Sequence, residues 1–490
     1  CYTDPRHREE YLRIVRELAS VFDEIILDDF FFTACRCEMC IEAKGKQSWK
    51  DYRLHMMEEF SHEIVDLARK VNPKMNFIIK YPNWYESYQE TGYNPGKQKD
   101  IFDMIYTGTE TRNACYSPQH LQLYESYSII RLLENTAPGR NGGGWIDQGG
   151  SSDNLSRWLD QANATMLAKA KELMLFNFAV LVDSPALPPL GQQFYRIDEI
   201  VGKCGNPVGV AAWEPFDADG EDQLYNYLGQ CGLAVEPSPY FNDKAPTVLL
   251  TQSSACEPDA MEKLEKYVRQ GGNAVVTVGF VHETYDKGIK DMTSVRLTHR
   301  HVLSNEFMVS NMNYLQMEVE RSDDPILFEV LDYKTNATHS DITILAGEDN
   351  FPMMTEDNYG KGRLFILNVP ENFADLYKLP KSVVRAFNKH LSMGQRVFVA
   401  AHPQVNFLAY DNNVYGIQSH RPMPDSIQVI VRGECKGLRD IETGRVYDEK
   451  LTMPKPGKKG DATTVIPEPT EYAFEVQMFP GRMMFFEVID

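Results

Sequence analysis

The sequence predicts an α/β protein whose leading part is a TIM (β/α)8-type barrel, and three observations carry that expectation. Amphipathic helical stretches alternate with short apolar runs from residue 1 to about residue 240, in units of about 30 residues. Nearly every apolar run ends on a polar or acidic residue, as the catalytic face of a parallel barrel requires. The 490 residues, 43% of them hydrophobic, provide for roughly two to four domains with sizeable cores, which rules out a single small module.

The elements follow in order. A helix over residues 5–21 carries Tyr11, Ile14, Val15 and Leu18 on one face, and a strand over 24–30 follows at once. A second helix over 49–71 leads to a strand over 76–81. Next come a strand over 104–110, a helix over 118–133, a strand over 142–147, a helix over 154–170 and a strand over 173–178. That makes five strands where a closed barrel has eight, so the expectation is that three βα units lie upstream of Cys1, together with any signal peptide. The barrel is assigned to residues 1–240, up to the break in character near Pro237-Ser238-Pro239.

Residues 241–395 read as a second, flavodoxin-like α/β domain. Its strands are expected at 248–250, 273–278 and 362–368, and its helices at 259–270 and 382–391. Neither G-x-G-x-x-G nor G-x-x-x-x-G-K-[ST] occurs in the chain, so a nucleotide role has no support. Residues 396–490 alternate short strands with Asn, Asp, Gly and Pro, the pattern of a small β-sandwich, and residues 454–460 form a solvated basic loop.

Composition narrows the function. Fifty basic against seventy acidic residues leave a net charge of -20 with no dense Lys/Arg block, which argues against nucleic acid as a partner. No uncharged apolar run reaches the length of a membrane-spanning helix. Nine unevenly placed cysteines do not make a disulfide scaffold and leave the compartment, cytoplasmic or periplasmic, open.

Chemistry concentrates at the strand ends. Asp28 and Asp29 follow Ile25-Ile26-Leu27 and precede Phe30-Phe31-Phe32, so one carboxyl points into the barrel mouth and its neighbour away. Aromatic walls beside a carboxyl raise its pKa, as a general acid requires; the plainer reading is an Asp capping a loop or helix. Glu110 ends the third strand and Asp147 the fourth, and Arg112 is placed to orient Glu110 or to form an ordinary ion pair with it. Glycosidic hydrolysis uses two carboxyls, and sugar rings stack on flat aromatic faces; Trp84, Tyr85, Tyr88, Tyr106 and Trp145 fall near the same ends. Gly142-Gly143-Gly144 either admits a ligand close to backbone or makes a tight strand entry. Cys35, Cys37 and Cys40, with Cys1 as a fourth, have the spacing of a closed thiolate Zn²⁺ site, against the alternative of idle reduced thiols. His55 and His120 read as surface or packing residues.

These pieces resemble clan A glycoside hydrolases of family 42, the β-galactosidases, and the related family 164 β-mannosidases. The resemblance covers the chain in domain order and only short motifs in sequence. It implies a barrel, a flavodoxin-like trimerisation domain and a β-sandwich in that order, a structural zinc held by Cys1, Cys35, Cys37 and Cys40 after the fourth barrel strand, no organic cofactor, and a homo-oligomer, a trimer, acting on an oligo- or polysaccharide-derived substrate. Where the family has Asn-Glu this chain has Asp28-Asp29, so Asp29 takes the acid/base position. Counting the strand at 173–178 as the eighth puts Asp147 on strand seven as nucleophile. Glu110, on strand six, is then the reserve nucleophile or a substrate ligand; if Glu134 ended a strand the assignment would change. Asp28, Trp84, Tyr106, Arg112 and Trp145 complete the implied sugar site. The function so implied is a retaining, exo-acting β-glycosidase of β-galactoside or β-mannoside type. The rival is a non-catalytic carbohydrate-binding or assembly protein on the same fold.

Overall fold

In the computed structural model, which describes residues 1–113, 121–147, 155–182, 184–310, 317–448, 450–452 and 470–490, five parallel strands lie side by side in chain order. They are β1 (Glu24–Ile26), β2 (Asn76–Tyr81), β3 (Met104–Gly108), β4 (Asn141–Ile146) and β5 (Glu172–Leu175). All are the strands read from the sequence, and the curled parallel sheet they form is the half-barrel that reading requires. The strand read over 24–30 stops at Ile26, which leaves Asp28 and Asp29 on the segment leaving the sheet.

Helices connect the strands in the βα manner. Helix α1 (Pro5–Ala19) starts where Pro5 occupies the first turn and the Asp4 carboxylate accepts from the Arg6 backbone N–H. It buries Val15 and Ala19, leaves Ile14 and Leu18 exposed, and packs mainly on α3 (Trp49–Val71), with Tyr11 against Phe60 at 5.3 Å. Between β1 and α3 runs the short α2 (Glu38–Lys44), capped at Cys37. Glu134 sits inside the helix Glu125–Thr136, so it ends no strand and the strand count stands. Residues 118–120, expected to begin that helix, lie outside the described residues, as do His120 and the loop 454–460.

The chain divides into two compact units. The first comprises Cys1–Asp198, Pro215–Asp219 and Pro237–Pro239; the second comprises Glu199–Glu214, Gly220–Glu236 and Tyr240–Asp490. In the second, a nine-stranded sheet contains all the strands read for residues 241–395. Its parallel part is Gly362–Leu367, Asn273–Thr277, Thr247–Leu250 and Val210–Trp213. Strands Val210–Trp213 and Val235–Ser238, inside the span given to the barrel on sequence, are hydrogen-bonded into this sheet, since their apolar residues find partners there. Four antiparallel strands from Arg296 to Tyr359 extend it; their frequent charged residues hid them from a reading based on apolar runs. The described strands from Val397 onward, joined by Pro207–Val208, form a four-stranded and a six-stranded sheet packed about a core that includes Val399, Phe407, Ile427, Phe474 and Phe486. Among the described residues no helix is long and apolar enough to cross a membrane.

Candidate active site

The carboxyl ends of β1, β3 and β4 carry the acidic residues singled out in the sequence, and parallel pairing in chain order places those ends along one rim. Asp29, Glu110 and Asp147 are within electrostatic reach of one another: the charges at Asp147 and Asp29 both act on Glu110, and Arg112 feels all three.

Each carboxyl has its own environment. Asp29 is half-buried, and desolvation, followed by its hydrogen bond and charge contact with Asp28, pushes its pKa up to about 6. Asp28 goes the other way. Burial opposes the shift, but the Lys80 ammonium, 3.0 Å from Asp28 Oδ1, holds its carboxyl below the ordinary value. The two neighbours therefore titrate apart, as an acid and its ionised companion. Glu110 is 4% exposed, and its pKa is pushed up to about 8, first by desolvation and then by the charge at Asp147. Its Oε1 accepts from Trp145 Nε1 at 3.0 Å, while Oε2 is buried with no partner. Asp147 receives a fork from Arg112, Nε to Oδ1 at 3.0 Å and Nη2 to Oδ2 at 2.7 Å. Arg112 thus clamps Asp147, not Glu110, and does so from a left-handed backbone conformation, φ 56°.

Lys80 is the residue the sequence reading missed. It is 5% exposed on β2, ion-paired to Asp28, and its ammonium lies 4.2 Å from the centroid of the Trp145 ring. A lysine inside an otherwise apolar strand was the available signal, because a buried ammonium needs a carboxylate. Trp145 is itself 3% exposed, so it supports Lys80 and Glu110 and does not present an open stacking face. Gly108 makes this possible: a Cβ there would lie 2.8 Å from the Trp145 ring and 3.0 Å from Glu110 Oε2.

The aromatic residues separate. Trp84 is half-buried, edge-on to Phe32 at 5.4 Å, with Tyr93 at 5.5 Å and Tyr88 at 5.7 Å. Tyr106 is not part of that group. It is buried against Ile78 and Trp145, and its hydroxyl donates to Glu172, the first residue of β5, which is the opposite end of the sheet from the carboxylate rim.

Four thiols converge as the spacing anticipated. Cys1, Cys35, Cys37 and Cys40 have sulfurs all within 4.8 Å of one another, with Cys1 to Cys37 and Cys1 to Cys40 at 3.5 Å and Cys37 to Cys40 at 3.7 Å. A tetrahedral zinc with Zn–S of ~2.3 Å sets sulfurs about 3.8 Å apart, so the donor set fits the ion. Arg53 adds to the fit: its guanidinium is 3% exposed, Nε and Nη2 have no hydrogen-bond partner, and it is electrostatically linked to Cys40 and Cys35. His55 is exposed on α3.

Comparison with known proteins bears on the family and the fold. Residues 1–201 match the family described as a probable glycosyl hydrolase, catalytic domain, and residues 396–488 match the corresponding C-terminal domain. The chain is remotely related to the glycoside hydrolases. Between those parts, residues 205–372 of this glycoside hydrolase relative match the second domain of the uncharacterized protein SSO3021. It is 22% identical to SSO3021 of Saccharolobus solfataricus over 413 residues, 75% of this chain and 67% of that one. Similar solved structures include a catalytic mutant of Gan42B, a GH42 β-galactosidase from G. stearothermophilus, at TM-score 0.62 and 12% identity over 100% of this chain and 82% of that one. The β-galactosidase of the haloarchaeon Halorubrum lacusprofundi reaches TM-score 0.60 and 13% identity over 99% and 83%. At such identities the likeness is one of fold.

Proposed function

We propose that the chain is a glycoside hydrolase that removes a terminal β-linked sugar, of galactoside or mannoside type, with retention of configuration. The observation that carries this reading is the split of environments on one rim: Asp29 shifted to about 6 beside an ionised Asp28, and Asp147 held in the Arg112 fork. In the first step the Asp147 carboxylate bonds to the anomeric carbon while the glycosidic C–O bond breaks, and Asp29 gives its proton to the leaving oxygen. In the second, Asp29 takes a proton from water, whose oxygen displaces Asp147 from the anomeric carbon and restores both residues. Glu110, kept protonated by burial, offers a neutral hydrogen-bond donor to a sugar hydroxyl, and Trp84 offers an apolar face. The four cysteines hold a structural zinc that fixes the segment from Asp29 to α2, and the second unit brings subunits together as a trimer. No organic cofactor enters.

The test is hydrolysis of a panel of aryl α- and β-glycosides by the protein beside Asp29→Asn and Asp147→Asn, with folding checked by circular dichroism. One β-glycoside should be turned over, with kcat/KM falling on the alkaline side around pH 6 as Asp29 loses its proton, and both variants should lose about 10³-fold or more. A folded protein that binds sugar but turns over none of the panel is a carbohydrate-binding protein, and the hydrolase reading fails.

A further inference from the structure

Away from the thiolate cluster, three side chains of the second unit meet in a pattern that the reaction above does not use. His282 comes from the helix Val278–Thr284, His299 from the strand Arg296–Ser310 and Glu329 from the strand Met317–Asp332. Their ligand atoms all lie within 4.8 Å of one another. Both imidazoles are solvent-exposed, their ring centroids 5.8 Å apart, whereas Glu329 is 6% exposed. We propose that His282, His299 and Glu329 form a second binding site, for a divalent cation of the zinc class.

Glu329 is the anchored member. Its backbone carbonyl accepts from Asn368 Nδ2 at 2.7 Å, its Oε2 lies 2.5 Å from His282 Nε2, and its Oε1 is buried with no hydrogen-bond partner. A buried carboxylate oxygen without a partner is costly unless an ion or a proton covers it. His299 reaches the cluster through a break in strand pairing. Leu297 pairs with Leu331 and Arg300 with Val330, so Thr298 and His299 are inserted as a bulge, and His299 takes φ 56°. Such bulges re-aim a side chain, and a left-handed histidine is uncommon enough to need a reason. His301, the register partner of Glu329, is instead paired with Glu371 at 2.9 Å and stays out of the set.

The donor chemistry selects the ion. Two imidazoles and one carboxylate suit zinc and its first-row neighbours, and do not suit magnesium or calcium, which require oxygen ligands throughout. With ligand bonds of ~2.0–2.2 Å, donors around a tetrahedral ion stand about 3.4 Å apart. The His282–Glu329 contact must therefore open by about 1 Å, releasing the proton they share, and the exposed histidines leave both an entry path and open positions for water. The ion ties a helix to a two-stranded edge of the sheet.

The site is tested by counting Zn²⁺ in the whole protein after equilibration and desalting, and by titrating Zn²⁺ calorimetrically, with His299→Asn and Glu329→Gln alongside. Asn tolerates the left-handed backbone, so His299→Asn keeps the fold if Glu329→Gln does not. The difference between wild type and His299→Asn removes any contribution from the cysteine cluster. Wild type should hold one more equivalent than His299→Asn, and the affinity of that equivalent should fall at least about tenfold in either folded variant. Equal stoichiometry and equal affinity in wild type and His299→Asn would falsify the proposal.

Discussion

Glu110 shows how one residue's surroundings set its chemistry. Its ordinary carboxyl value of 4.5 rises to about 8 because folding strips water from it and places it beside Asp147. The folded state therefore holds this proton more tightly than the unfolded chain does. The corresponding stability is fully present below pH 4.5 and is lost as pH rises to about 8, a swing on the order of 3–5 kcal/mol. Glu110→Gln mimics the protonated acid, keeps an acceptor for Trp145 Nε1 and places an N–H where the O–H stood. It should raise stability at pH 8 by about 2 kcal/mol in urea titrations and flatten the slope between pH 5 and pH 8, with activity retained within about tenfold. A loss of activity beyond about 10³-fold with the fold intact would make Glu110 the nucleophile and displace Asp147 from that role. The sequence displayed these carboxylates because strand ends are legible. It did not display which partner each would find: Arg112 stands two residues from Glu110 yet clamps Asp147 across the rim, and Lys80, a lysine in an apolar strand, finds its carboxylate in Asp28, 52 residues earlier in the chain.

At the scale of elements, the glycines entering β4 decide how the sheet curls. Pairing jumps from Ile105 with Asn141 to Thr107 with Gly144, so β4 has one residue more than β3 over this stretch. Gly143 occupies the extra place, and a Cβ there would lie 2.1 Å from the Glu172 carbonyl oxygen of β5, an atom that cannot swing away. The tight-entry reading of Gly142-Gly143-Gly144 is the one that fits. Gly143→Ala should therefore force β4 and β5 apart and cost ~3 kcal/mol or more, read as a lower midpoint in urea. Gly139→Ala is the contrast: φ is 75° but nothing lies within 4 Å, so only the backbone term of about 1 kcal/mol applies. Periodicity found the five strands and most helices because each is an apolar face with a regular repeat. It could not find the bulge, since an extra residue leaves no mark on composition. It also passed over the strands from Arg296 to Tyr359, where residues such as Arg300, His301 and Glu329 interrupt the alternation.

For the whole molecule, the order of a βα part, a second α/β part and a β-sandwich was legible in changes of rhythm, whereas the membership of each sheet was not. Residues 210–213 fall inside the span given to the barrel, and only the pairing of the strand Val210–Trp213 with Thr247–Leu250 assigns them to the second unit. Each unit has its own core: Ile146, Trp158, Ala162, Leu181 and Leu190 in the first, and Val399, Phe407, Ile427 and Phe474 among others in the second. Separate cores predict separate thermal transitions, and the tryptophans allow them to be told apart. Of the five, Trp49, Trp84, Trp145 and Trp158 lie in the first unit and Trp213 in the second, so tryptophan fluorescence mainly follows the first. Cys40 is 2% exposed and its sulfur stands among the other three thiols, so Cys40→Ser removes a ligand without touching the second unit. Loss of a structural zinc worth about 3 kcal/mol to a unit of this size should lower the fluorescence-detected midpoint by roughly 10 °C and leave the second calorimetric transition in place. Equal displacement of both transitions would mean that the units unfold as one. An unmoved first transition would mean that the four thiols hold no ion that matters to folding, and the structural zinc would have to be abandoned.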